Sequence, residues 1–290
     1  MTDGIINVLK PPGMTSHDIT ARLRRIYGEK KAGHSGTLDP DAAGVLPVFM
    51  GKATRLLEYV DGGTKRYRAV GILGIRTDTG DDSGQVLERK PAEISALQLE
   101  QALLNFHGKI SQVPPMYSAL KVGGKKLYEY ARQGIVLERA ARPVEIFTLV
   151  PVYFRPPYFC LDIECSKGTY IRTLLEDIAA SMGTCACLRF LLRTKAGDFR
   201  IGDSHTLDEI AADPESVLMP PETAVSGIPK AEVNERQAFR ITNGVKTTIK
   251  GLAPGRYRLY CQEKFLGMAS VEDEIVSPEK ILFQIRETEE

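Results

Sequence analysis

The sequence predicts an α/β fold of the α+β kind, with a mixed, mainly antiparallel sheet followed by a smaller β-rich unit. Three observations carry this. Apolar segments of strand length recur along the chain, among them Val45 to Met50 and the alternating Phe159, Leu161 and Ile163. Segments with the 3.6-residue helical period lie between them. After Pro220-Pro221 and Gly227-Ile228-Pro229 the chain turns to short β-like runs broken by Gly and Pro.

Each element has a local cause. A first helix is expected from about Asp18 to Tyr27, with Ser16 as its cap, Ile19, Leu23 and Ile26 on its inner face, and Gly28 just past its end. Val45 to Met50 reads as a buried strand, and Gly51 to Leu57 as the opening of a helix. Ser95 and Gln98 form a capping box ahead of Leu99, Leu103 and Phe106. Phe159, Leu161 and Ile163 alternate with Cys160 and Asp162, the period of a half-buried strand. Lys167-Gly168-Thr169 then makes a turn, and Ile171, Leu174, Leu175, Ile178 and Met182 mark the buried stripe of a helix closed by Gly183. Runs at Val245–Ile249, Tyr257–Gln262 and Phe265–Val271 read as strands of the last unit, and the Glu-rich end from Glu287 is expected to fray.

Composition bounds the function without choosing it. A chain of 290 residues, 43% hydrophobic, can bury one large core or a large and a small one. No run reaches the roughly 18 apolar residues of a membrane span, and the start lacks a secretory signal, so a cytoplasmic location is expected. Five cysteines argue against a disulfide framework. Cys160 and Cys165 should point to opposite faces of a strand, and Cys185-Ala186-Cys187 lacks the usual zinc spacing, so no metal is expected. The net charge of +1 is neutral evidence about nucleic acid, which needs a basic face and not a basic average. Local excess occurs at Arg22 to Lys31 and at Lys121 to Arg142, where a solvated surface is the plain alternative.

The chemistry is expected in one loop, Gly33 to Gly44. Gly33, Gly36, Pro40 and Gly44 bend the backbone tightly around Asp39. The plain alternative is that Asp39-Pro40 merely opens a turn. A phosphate loop at Gly44 to Ala53 and a calcium loop at Asp78 to Gly84 both fail on spacing.

The segment Lys31-Ala32-Gly33-His34-Ser35-Gly36-Thr37-Leu38-Asp39-Pro40 resembles the catalytic motif of the tRNA pseudouridine-55 synthases, the tRNA pseudouridine synthase B family of bacterial type. Ile6 to Gly13, Lys65-Arg66-Tyr67-Arg68, Met116 to Lys121, Lys125 to Arg132 and Ser166 to Arg172 agree with it in order, so the resemblance covers residues 1 to about 225. It implies isomerisation of one T-loop uridine of tRNA, uridine 55, by base flipping, cleavage of the N1 glycosidic bond and reattachment through C5. No cofactor or metal is implied. The implied partner is the T-arm stem-loop of tRNA, with no membrane, no obligatory protein partner, and a monomeric enzyme.

The resemblance makes Asp39 the catalytic carboxylate, which attacks the sugar or otherwise assists departure of the base. Tyr67 would stack on the flipped uracil and its hydroxyl could help remove the C5 proton; a core-packed strand tyrosine is the alternative. Tyr170, Leu191, His34 and Lys10 are carried over as substrate-binding residues, His34 as a stacking or space-filling group and not a general base. Arg172, in the first turn of its helix, gains little from the helix dipole and needs an anionic partner. Asp39 is the expected partner, a solvated surface arginine being the plain alternative, and the guanidinium is expected to lower the carboxyl's pKa and hold it ionised.

The domains implied are a pseudouridine synthase catalytic domain over 1–228, with an RNA-clamping insertion at about 114–143, and a PUA-like RNA-binding domain over 229–290. A non-catalytic RNA-remodelling protein and a guide-RNA-dependent synthase are the competing readings.

Overall fold

The computed structural model describes residues 2–60 and 63–285. The chain opens with β1 (Gly4–Lys10), α1 (Ser16–Tyr27), β2 (Ala32–His34) and β3 (Ala43–Met50). The cap of α1 is Thr15 and not Ser16: the Thr15 hydroxyl accepts from the Asp18 amide at 3.0 Å, and the Asp18 carboxylate accepts from the Thr15 amide at 2.9 Å. Ser16 is thereby free to turn inward. Gly28 ends the helix at φ 62.

All of β3 is buried, which is why it reads as a continuous apolar run with no alternation. Gly51–Leu56 forms a 3₁₀ turn, and a single α turn, α2 (Leu57–Val60), follows. Ala53 and Leu56 are the buried pair there; their spacing of three suits the tighter helix.

The chain continues through β4 (Lys65–Leu73), the hairpin β5 (Ile75–Thr77) and β6 (Val86–Arg89), α3 (Ala96–Leu104) and β7 (Gly108–Gln112). A small basic hairpin, β8 (Lys121–Val122) and β9 (Lys125–Lys126), turns on Gly123 and Gly124 and leads into α4 (Leu127–Ala131). Then come β10 (Arg142–Arg155), β11 (Tyr158–Cys165), α5 (Ile171–Ser181), β12 (Ala186–Ala196), β13 (Phe199–Arg200) and α6 (Leu207–Ala212).

Among the described residues the main sheet has nine strands, in the order β1-β3-β12-β4-β11-β10-β7, with β2 on β3 and β13 on β12. Every pairing is antiparallel except β3 with β12. Helices α3 and α5 cover one part of it, contributing Leu99, Leu103, Leu174, Leu175 and Ile178 to a core with Ala69, Leu161 and Ile163. Helix α1 covers another through Ile19 and Leu23. Truncating one such fully buried leucine costs about 2–5 kcal/mol.

Among the described residues a second sheet of five strands follows: β14 (Lys230–Glu232), β15 (Thr247–Thr248), β16 (Gly255–Cys261), β17 (Lys264–Glu272) and β18 (Ile275–Ile281), with α7 (Glu235–Thr242) packed against it. Tyr260, Phe265, Met268 and Leu282 share an apolar cluster with Ile5, Val45, Phe49 and Leu56, so the second sheet is seated on the first strands of the main one. The five cysteines are buried free thiols. Among the described residues no helix is long and apolar enough to cross a membrane. The Glu-rich end lies outside the described residues.

Candidate active site

The loop between β2 and β3 is held from four sides, and Asp39 stands at its middle. Arg193 Nη2 donates to the Gly36 carbonyl at 2.8 Å. The inward-turned Ser16 hydroxyl donates to the Leu38 carbonyl at 3.1 Å and accepts from the Leu38 amide at 2.9 Å. Lys10 Nζ donates to the carbonyls of Pro40 at 2.8 Å and Ala42 at 2.6 Å, and the Gly13 amide also donates to Pro40 at 3.0 Å. Asp39 closes a turn of its own, its carbonyl accepting from the Ala42 amide at 3.1 Å. With Leu38 and Ala42 buried in the main core, both shoulders of the aspartate are fixed while its side chain stays 44 % exposed.

Gly44 ends the loop at φ 112, where a β-carbon would stand 2.2 Å from the Arg193 carbonyl. Only glycine fits both the conformation and the approach. That approach lets β3 run parallel to β12, pairing Gly44 with Arg193.

Arg172 meets Asp39 from the first turn of α5, Nη2 to Oδ2 at 3.1 Å. Its side chain is 8 % exposed, so the guanidinium is buried at the start of the helix. Its other contacts go to the Thr79 carbonyl, in the acidic turn before β6, at 2.7 Å, and to the Tyr117 carbonyl at 2.8 Å. One guanidinium thus ties three segments to the aspartate. Sharing has an electrostatic consequence that reverses the expectation for Asp39. Desolvation raises its pKa above the ordinary carboxylate value; Arg172 opposes this, and the nearby charge of Asp81 adds to it. A single shared contact is outweighed by the enclosure.

Tyr67, on β4, is buried in the main core beside Leu38, Ala42 and Leu191. Burial pushes its phenol up, the neighbouring Arg193 pulls it down, and the charge of Asp39 reaches it. The structure therefore gathers Asp39, Arg172, Tyr67 and Leu191. Tyr170 is half-buried at the cap of α5, its backbone clamped by Gln112, and it faces the adjacent groove with Lys65 and Lys167. His34 lies at the end of β2, its Nε2 3.1 Å from the Thr37 hydroxyl, with burial and then Arg193 lowering its pKa.

Lys10 differs from its expected role as a substrate contact. It is fully buried, its ammonium is surrounded by the carbonyls of Pro11, Pro40 and Ala42, and burial pushes its pKa down to about 8. Three short bonds to backbone oxygens make it a clamp on the loop.

Arg193 is the residue that sequence reasoning missed. It is 0 % exposed, and its Nε donates to the Val45 carbonyl at 2.8 Å while Nη2 holds Gly36, bridging the start and end of the Asp39 loop. Residue parity along β12 from Ala186 and Leu188 would have suggested otherwise, but pairing with β4 shifts between Leu188 and Phe190, ahead of Arg193. Such bulges reverse which face a residue meets.

Glu176 lies one turn beyond Arg172 on α5. Burial, then the like charge of Asp177, raises its pKa to about 7 against the pull of Arg76 and Arg172. A carboxyl whose folded pKa exceeds its ordinary value contributes fully below that ordinary value and loses the contribution as pH rises through about 7. Glu176→Gln is expected to be more stable than the parent at pH 8.5, by about 2 kcal/mol, and equal to it near pH 4. Denaturant unfolding at the two pH values checks this, and an equal difference at both would refute it.

A family model described as TruB family pseudouridylate synthase, N-terminal domain, matches residues 24–171. A protein named tRNA pseudouridine synthase B from Symbiobacterium thermophilum is 48% identical over 252 residues, 86% of this chain and 84% of that one. One of the same name from Haemophilus influenzae is 40% identical over 97% of this chain and 96% of its own. Among solved structures, a chain of a Cbf5–Nop10–Gar1 complex superposes with a TM-score of 0.76 at 24% identity, covering 98% of this chain and 86% of that one. At that identity the likeness speaks for the fold alone.

Proposed function

The chain belongs to the TruB family of pseudouridylate synthases, enzymes that isomerise uridine in RNA, and on that premise we propose that it converts uridine 55 in the T loop of tRNA to pseudouridine. The observation that carries this is the Asp39–Arg172 contact at 3.1 Å, on a loop pinned at Gly36, Leu38, Pro40 and Ala42 and flanked by the buried Tyr67. Simple RNA binding has no use for a carboxylate held where phosphates approach.

The reaction breaks the N1–C1′ bond, turns the uracil and joins C5 to C1′; N1 gains a proton and C5 loses one, with no net oxidation and no outside group donor. The uridine must leave its stack, which costs a few kcal/mol. Leu191 and the Tyr67 ring supply an apolar wall and a stacking face that recover part of it. Asp39, ionised, attacks the sugar or assists departure of the base, and Arg172 holds it at the reacting face. Burial keeps the Tyr67 phenol protonated, which favours its stacking role over that of a base.

Around this centre, residues 1–228 form the catalytic domain. The segment at about 114–143, with its basic β8–β9 hairpin and the Tyr117 carbonyl on Arg172, clamps the T loop, and 229–290 is a PUA-like RNA-binding domain. We place the enzyme in the cytoplasm, acting as a monomer on the T-arm stem-loop without a guide RNA or partner protein; its relatives at 40–48% identity are named for tRNA and not for a guided particle. The test is the purified chain on an unmodified tRNA transcript, with pseudouridine mapped by carbodiimide labelling and reverse transcription. Conversion at one T-loop uridine is expected. Binding without conversion would favour an RNA-remodelling or guided role.

A further inference from the structure

Beside the aspartate loop runs a groove of about 430 Å³ lined by Lys65, Arg142, Lys167 and Tyr170, with Pro143, Val144 and Gly168 completing it. Among the described residues three cations line it and no carboxylate does. Arg142 and Lys167 are exposed and, among the described residues, take part in no ion pair. Like charges brought this close repel, so the arrangement favours an anion between them.

The walls are built to hold that spacing. The Ser166 amide donates to the Glu145 carbonyl at 2.8 Å, and the Glu145 amide donates to the Ser166 hydroxyl at 2.9 Å, so the turn bearing Lys167 is fastened to the start of β10 bearing Arg142. The buried Gln112 side chain accepts from the Tyr170 amide at 3.0 Å and donates to its carbonyl at 3.3 Å, while Gln112 itself pairs with Arg142 in the β7–β10 ladder. Cations and ring are thus preset relative to one another.

The groove also opens onto the reacting centre. Lys65 stands two residues before Tyr67 on β4, hence on the same face. Its ammonium reaches the Asp39 loop: a β-carbon on Gly36 would lie 3.2 Å from Lys65 Nζ. A strand of RNA whose uridine is flipped against Tyr67 must carry its neighbouring backbone away along some path, and this is the cation-lined one.

We propose that the Lys65–Arg142–Lys167 groove is a phosphodiester subsite that holds the RNA backbone next to the flipped uridine, with the half-exposed Tyr170 ring as the platform for an adjacent unpaired base. The assignment deepens the tRNA reading above and rests on it. Phosphate contacts release counterions, so each one contributes about 0.7–0.9 to the slope of log affinity against log salt.

The experiment measures that slope for a tRNA transcript with the parent, Arg142→Gln/Lys167→Gln, and Arg89→Gln/Arg155→Gln, the last removing two exposed charges elsewhere: Arg89 on β6, and Arg155 at the opposite end of β10 from Arg142. The groove variant is expected to lose about 1.4–1.8 from the slope and the control variant nothing. An unchanged slope in the groove variant, or an equal loss in the control, overturns the subsite. The two readings separate cleanly. If the parent converts uridine while the groove variant keeps its slope, the subsite fails and the function stands; if the slope falls but the parent converts nothing, the function fails instead.

Discussion

Asp39→Asn is expected to abolish turnover, by on the order of 10⁴-fold or more, while the folded protein and its RNA affinity persist. The amide keeps the shape of the carboxyl but can neither attack the sugar nor stabilise a departing base. Stability should not fall with it. The folded pKa of Asp39 is raised, so the ionised form contributes nothing to the fold at neutral pH; the contribution is full below the ordinary value and lost as pH rises through the folded one. The loop is instead held by Arg193, Ser16, Lys10 and Gly13, all through backbone atoms of its neighbours. Single-turnover kinetics beside a thermal melt at pH 7.5 read both effects. Turnover within tenfold of the parent would remove Asp39 from the chemistry, and a midpoint lowered by more than a few degrees would make it a structural residue.

Arg172→Met is the second large effect, and its signature is the pH profile. The guanidinium is the group that opposes desolvation at Asp39, so its removal raises the carboxyl's pKa further. The acid limb of the single-turnover rate, which should already lie above the ordinary carboxylate range in the parent, moves to higher pH in the variant. Arg172→Lys keeps the charge but not the planar fork, and cannot serve Asp39, Thr79 and Tyr117 together. It should retain most of the parent's pH profile while losing on the order of 10²-fold in rate, with RNA affinity changed only a few-fold in both. Loss of two partners for buried carbonyls will cost about 1–3 kcal/mol each, and this lowers stability without moving an acid limb. An acid limb that stays in place in Arg172→Met would show that Arg172 acts on the fold and not on the carboxylate.

Much of this was legible in local sequence. Gly28, the Ser95/Gln98 box and the Gly183 stop act within one helical turn, and they end or begin helices where they were expected to. The continuous apolar run of β3 and the alternation of β11 survive because both strands are buried by neighbours that their own composition demands. The last sheet was less legible. Helix α7, despite its Asn234/Gln237 capping box, and strands β14 and β18 were not anticipated: β14 is three residues long, and the Ser277-Pro278-Glu279-Lys280 run of β18 shows no apolar alternation.

Other features have no local signal at all. Thr15 took the cap of α1 because Asp18 could answer it, and that decision released Ser16 to grip Leu38. On β12 the aromatic Phe190 is 40 % exposed while the cation Arg193 is fully buried, an inversion produced by the bulge between Leu188 and Phe190 and by carbonyls that arrive from the distant Asp39 loop.

The sequence by itself determined which residue types are present and where the chain must bend: a carboxylate in a glycine-bent loop, an arginine at the start of a helix, a tyrosine on a strand. Those depend on steric and hydrogen-bond preferences that span a few residues. The tertiary structure decided how the carboxylate titrates, that Lys10 and Arg193 serve as clamps, and that three cations share a groove with Tyr170. Desolvation and charge proximity depend on what the fold brings within a few ångströms, and no spacing along the chain encodes that.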